Sequence, residues 1–351
     1  MAREDFQLSG EDAQFSGEDA RFGGIVQVLA AAVLWGTVGP AQLIAHADVS
    51  LVSLGACRML LGGAVLGLFT VRAAGLRTLW QPATRWWMLA GVLVTAAFQV
   101  CFLEAVDRTG AALATVVTFG TVPVITGLCA WWFERERTSV AGWCGTACSL
   151  VGIGVLLVPD AAAQVDVTGV LLGIASGSSF GTYIAATQQL ARRGADTTAA
   201  APMSVLCAGV LLSPWLFAVP GGLGAPRAVL LISWLALGTT ALGYLLFARG
   251  VTRISAATAG TLSLGEPLVA AVLGVALLGE RPGAVAACGA ALLLAGLIAV
   301  SLPARGRTTQ GGTAPDGKAP AAAASGGSRE AKAGSRRGTS KVAPRRARRR
   351  P

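Results

Sequence analysis

Ten apolar runs, each about twenty residues long, dominate this chain, and that length matches the ~30 Å hydrocarbon core of a bilayer when the run is helical. They fall roughly at 24–44, 51–71, 86–105, 111–133 and 140–158, then at 167–188, 202–219, 229–248, 256–278 and 283–302. Lipid offers no water to backbone N–H and C=O groups, so a spanning segment must satisfy them internally, as a helix or in a closed barrel. Runs this long and continuously apolar are helix signals, since barrel strands are about ten residues long and alternate. Charged residues make up 13% of the chain, about half the share of a soluble domain.

An internal echo sharpens the fold. At an offset of 144 residues Pro123 answers Pro267, Glu136-Arg137 answer Glu280-Arg281, Cys144-Gly145 answer Cys288-Gly289, and Gly152 answers Gly296. Apolar sequence matches Ala and Leu by chance, but seldom a proline, a charged pair and two glycines in one register, so the pattern reads as a duplication. Five runs precede Asp160 and five follow it. Because five is odd, the second half enters the bilayer from the other side, as in many carriers driven by gradients. The expected fold is an all-α integral membrane protein with ten transmembrane helices in two inverted five-helix repeats, 24–159 and 160–302. The polar, acidic segment 1–23 lacks a basic leader and cleavage pattern and is expected to be disordered and cytoplasmic, with the first apolar run kept as a helix.

The formal charge of +10 invites a nucleic-acid reading, which its distribution removes. Residues 303–351 carry +11 and the remainder −1. That Ala/Gly/Pro/Ser-rich tail, ending in Arg345, Arg346, Arg348, Arg349 and Arg350, cannot build a core and has no interleaved aromatics for bases. It reads as a disordered cytoplasmic extension, with contact to anionic lipid as the sharper alternative. Between the runs, nine arginines (72, 77, 85, 135, 137, 192, 193, 249 and 253) fall on one side and three (108, 227 and 281) on the other. Positive-inside bias then puts both termini in the cytoplasm.

Trp35-Gly36, Arg58, the Pro123 helix closing on Glu136-Arg137, Glu266-Pro267 and the Leu278-Gly279-Glu280-Arg281 close resemble the EamA-type branch of the drug/metabolite transporter superfamily. The similarity covers about residues 24–302. It implies ten helices in two inverted halves, moving a small metabolite or drug-like molecule across a bacterial-type plasma membrane, often outward. The halves depart from one another where polar groups matter: Phe180-Gly181 stands opposite Trp35-Gly36, and Met203 opposite Arg58. A site between them would be chemically asymmetric.

Glu266 is the leading candidate residue, because an acid inside a spanning run is costly unless it faces protein or water. It suits substrate binding or proton coupling; it also suits a structural cap on the half-helix that starts at Pro267, or a place near the interface where water reaches it. Arg58, about eight residues into its run, suits an anionic group or Glu266 as partner; it also suits snorkelling or a clamp on backbone carbonyls. Trp35, Tyr183, Tyr244, Gln99, Thr118, Thr182 and Ser263 are candidate cavity residues, although such side chains in spans more often pack helices together. Gly36, Pro40, Pro123 and Pro267 are candidate gate positions, where a proline removes a backbone bond and kinks its helix.

Seven cysteines lie within the runs without a Cys-x-x-Cys, and His46 is the single histidine, so neither a metal site nor a catalytic triad is expected. No Gly-x-x-x-x-Gly-Lys loop occurs, so direct ATP hydrolysis is not supported and no cofactor is implied. The leading reading is a secondary transporter rather than an enzyme, with a small molecule and the bilayer as partners. The alternative is a membrane-embedded enzyme or lipid-handling scaffold without translocation.

Overall fold

The computed structural model describes residues 2–134, 140–157, 166–218, 222–279 and 281–302, and the regular elements among them are all helical. The basic tail and the Glu136-Arg137 and Glu280 positions lie outside the described residues. Helix α1 (Ala2–Gly36) leads into α2 (Val38–Ala45), then α3 (Leu51–Thr70) and the short α4 (Ala73–Leu79). Helices α5 (Arg85–Thr109) and α6 (Ala111–Cys129) follow, α6 running into a π-helical turn at Ala130–Glu134, and then α7 (Val140–Leu157). Next come α8 (Val167–Arg192), α9 (Thr197–Leu212) and α10 (Pro214–Ala218). Helix α11 (Pro226–Trp234) passes through a π-helical segment, Leu235–Leu242, into α12 (Gly243–Val251). Helices α13 (Ala256–Leu262), α14 (Gly265–Leu278) and α15 (Ala284–Ser301) complete the set.

Among the described residues nine helical stretches are long and apolar enough to cross a membrane. The run expected at 140–158 forms α7, whose apolar portion Gly142–Leu157 is shorter than the other nine.

Helix α1 starts upstream of the first apolar run, at Ala2, and no proline occurs before Pro40. Two local expectations are corrected. The seventh run begins at Thr197 rather than Pro202, because Asp196 caps its first turn by accepting from the Thr198 N–H. Pro202 leaves the Thr198 carbonyl without its intrahelical donor, and the Thr70 hydroxyl of α3 donates to it at 2.9 Å. The second correction is that Pro267 does not kink one continuous helix. The chain breaks upstream at Ser263-Leu264, and the Glu266 N–H turns back to the Ser263 carbonyl at 3.1 Å.

Packing repeats itself between the halves. On α7 and α15, a methyl at Gly145 would meet Val300 at 2.7 Å and one at Gly152 would meet Leu293 at 2.4 Å. Reciprocally, a methyl at Gly289 would meet Leu156 at 2.3 Å and one at Gly296 would meet Ser149 at 2.2 Å. As numbers rise along α7 they fall along α15, so the two helices run antiparallel. Helices α3 and α9 do the same, Gly63 against Leu206 and Gly209 against Leu60. Small residues at these crossings let backbones meet, the packing device of helices in lipid.

Two further corners match. Gly36 of α1 lies against Val269 and the Glu266 carbonyl of α14; Gly181 of α8 lies against Ile125 and the Val122 carbonyl of α6. Gly24 packs on Arg253, and Gly169 packs on Arg108. Charge differs across this second pair of corners. Arg108 pairs with Glu104 at 2.8 Å and Asp166 at 3.5 Å, whereas the positions 145 residues away are Arg253, Arg249 and Arg21.

Candidate functional site

A cavity of about 70 Å³ opens among eight helices. Its walls are Trp35 of α1, Val38 of α2, Arg58 of α3, Phe98 and Phe102 of α5, Phe119 of α6, Phe180 of α8, Tyr244 of α12 and Glu266 of α14. Six of these nine side chains are aromatic, and the only charges are one guanidinium and one carboxylate.

The aromatic wall is a packed cluster rather than a row of loose rings. Trp35 stands edge-on to Phe180 at 5.8 Å and to Tyr244 at 5.4 Å, and lies 5.0 Å from Phe247 behind them. Edge-to-face and offset pairs at such distances are the favourable geometries for ring quadrupoles. Trp35 is fixed further by its indole N–H, which donates to the Thr239 carbonyl at 2.8 Å. Thr239 lies within the π-helical segment, where the wider turn changes the carbonyl pattern of the ladder. Just past the end of α1, the Trp234 indole donates to the Thr37 hydroxyl at 3.1 Å, so the break in the first crossing is tied to the same segment. Gly36 makes that close approach to α14 possible, and Pro40 is buried in α2.

Arg58 and Glu266 face one cavity, yet no ion pair between them is found among the described residues. The Arg58 guanidinium instead donates to the Gln99 amide oxygen at 2.8 Å. Gln99 is buried, and its partnership with Gly55 is close enough that a methyl there would meet the amide at 2.6 Å. That contact fixes which way the guanidinium points. The Glu266 carboxylate accepts no hydrogen bond among the described residues, so the charge can meet a ligand or a proton.

The remaining candidates take other places. Tyr183 is buried behind the wall, stacked on Phe180 and edge-on to Tyr244 at 6.0 Å. Thr118 donates to the Gly173 carbonyl across the α6–α8 crossing, while Thr182 and Ser263 donate to Ser178 and Gly260 within their own turns. These three hydroxyls are spent on backbone. Pro123 sits in a continuous α6, and Pro267 begins the second half of a broken crossing. Phe98, Phe102 and Phe119 escaped the sequence reading, because a phenylalanine in an apolar run looks like any lipid-facing or packing residue. Phe180 carried a signal in its alignment with Trp35.

The described chain matches the EamA-like transporter family twice, over residues 22–158 and 167–302. It is 32% identical over 291 residues to YwfM of Bacillus subtilis (strain 168), described as an uncharacterized transporter, covering 80% of this chain and 95% of that protein. It is 27% identical over 303 residues to YicL of Salmonella typhimurium (strain LT2), described as an uncharacterized inner membrane transporter, covering 81% and 97%. A solved crystal structure superposes with a TM-score of 0.69 at 24% identity, covering 80% of this chain and 97% of its own, which is likeness of fold. With its family match spanning both halves and its helices long enough to cross a bilayer repeatedly, this multi-pass membrane protein belongs to the EamA-like transporter family.

Proposed function

We propose that this protein is a secondary exporter of a small metabolite or drug-like molecule, working by alternating access between two inverted five-helix halves of a ten-helix bundle. The observation that carries the reading is the cavity, where one fixed guanidinium and one unbonded carboxylate face a wall of six aromatic side chains. A few polar groups in an apolar lining orient and select a ligand. The antiparallel course of α7 and α15, and of α3 and α9, supports inversion, since these are the corresponding helices of the two halves. Reciprocal glycine contacts support a pseudo-two-fold relation between them.

A cavity of about 70 Å³ holds a few waters, while drug-sized ligands occupy about 300–1,000 Å³. Loading therefore requires the helices to part. Two places can yield without breaking a spanning hydrogen-bond ladder: the interruption at Thr37 and the one at Ser263-Leu264. Both lie on helices that carry cavity residues, so their movement changes access and shape together. Glu266 supplies the coupling group in this reading, binding substrate and proton in turn. The arginine bias supports a cytoplasmic position for both termini.

The test is flux in liposomes loaded with amino acids, nucleosides or organic cations, with and without an imposed proton gradient. Gradient-dependent flux of one class, lost in Glu266→Gln with the protein still folded, is the expected result. Flux by Glu266→Gln equal to the parent's at every pH removes the coupling role. Chemical modification of a substrate without its translocation would favour the membrane-enzyme alternative.

A further inference from the structure

Away from the cavity, the surface between α5 and α9 carries a groove of about 630 Å³. Trp86, Leu89, Ala90 and Leu93 line one wall at the i, i+3, i+4, i+7 spacing of a single helix face, and Val210 and Leu211 line the other. The lining is almost wholly apolar, and it starts one residue from Arg85, the first residue of α5. Arg85 is exposed, its guanidinium lies 5.3 Å from the centre of the Trp86 ring, and it has no ion pair among the described residues. No carboxylate occurs in the sequence between Asp48 and Glu104. The Asp196 carboxylate at the start of α9 is engaged by the Thr198 N–H and hydroxyl.

We propose that this groove is a binding site for one anionic phospholipid, with an acyl chain between α5 and α9 and the phosphate on Arg85. Length supports a lipid over a second copy of the chain. From Trp86 to Leu93 the groove runs about 10 Å along α5, which fits within the ~15 Å half-thickness of the hydrocarbon core, whereas a partner helix would need a face crossing both leaflets. Polarity supports it too: a cation beside an amphipathic indole at one end and hydrocarbon beyond is the order of groups met on entering a leaflet. Cation and groove together match headgroup and chain. This site is separate from the transport cavity and stands or falls without it.

Native mass spectrometry of the purified protein, titrated with phosphatidylglycerol and phosphatidylcholine of identical acyl chains, tests the proposal. The parent should retain phosphatidylglycerol about fivefold more than phosphatidylcholine, the ratio that one basic residue near an anionic headgroup supplies. Arg85→Gln should abolish that preference while leaving phosphatidylcholine retention unchanged. Ala90→Phe should fill the groove and lower retention of both lipids; Val210→Phe does so from the other wall if the first variant fails to fold. An unchanged preference in Arg85→Gln overturns the proposal, as does unchanged retention in a folded filler. A parent dimer that Ala90→Phe converts to monomer also overturns it, because a second copy then occupies the groove.

Discussion

Helix α6 and the pair α13–α14 correspond in the two halves, with Pro123 and Pro267 in register, yet one is continuous and the other is broken. The difference is not the proline. Both lack an N–H, and α6 absorbs that loss without interruption. What separates them is the neighbouring residue: Val122, fully buried against Gly181, stands where Glu266 faces the cavity. Beside Glu266 the backbone stops and restarts, so the acid sits in the first turn of α14, where the positive end of the helix dipole favours a negative charge. One half keeps a continuous helix that lends the cavity a single ring, Phe119, and its counterpart brings the carboxylate.

Exchanging these residues puts the comparison to its severest test. Val122→Glu places a carboxylate in a closed apolar crossing and should destabilise the protein by about 3 kcal/mol or more, read as a fall in the thermal midpoint in detergent. Glu266→Val should do the opposite, stabilising by about 1–3 kcal/mol while abolishing gradient-driven flux. If Glu266→Val both destabilises and spares flux, the acid is a structural cap. A smaller effect is expected from the matched glycines. Gly36→Ala and Gly181→Ala each bring a methyl within 2.8 Å of a β-carbon on the facing helix, costing about 1–3 kcal/mol. Gly36→Ala alone should also impair flux, because its methyl would sit 2.8 Å from the Glu266 carbonyl.

Trp35→Phe keeps a ring in the wall but loses the bond to the Thr239 carbonyl, for an expected loss of about 1 kcal/mol in thermal or denaturant unfolding. The smallest effect concerns Asp166, which caps α8 at the membrane surface. The Thr168 backbone N–H, joined by that of Gly169 and by Arg108, holds its carboxyl below the usual carboxylate range. Stability from a depressed carboxylate is present above its unfolded value and lost as pH falls through its folded value. Asp166→Ala should therefore lower the thermal midpoint slightly at neutral pH, with the gap closing below about pH 4.

The helical membrane class and the duplicated packing positions were legible because they rest on run length and on residues that tolerate little substitution. Gly145, Gly152, Gly289 and Gly296 echoed in sequence and meet in space for one reason: each crossing leaves no room for a side chain. The disposition of the site was less legible. Periodicity cannot say which phenylalanines of an apolar run turn inward, so Phe98, Phe102 and Phe119 stayed hidden. Charge invited a direct Arg58–Glu266 pair, while a neutral amide one helix away holds the arginine. The helix break was expected at Pro267 and lies at Ser263-Leu264, since the proline sets where a helix can restart rather than where the preceding one must end.

The corners marked by Arg108 with Glu104 and Asp166, and by Arg253 with Arg249 and Arg21, share one mould but opposite electrical character. A body whose two ends are cast alike has no intrinsic upright posture; membrane insertion machinery must read one from a handful of peripheral charges. Under the inverted arrangement proposed above, orientation and architecture are separately adjustable: exchanging charge at such corners re-aims the chain in the bilayer without touching the contacts between its helices.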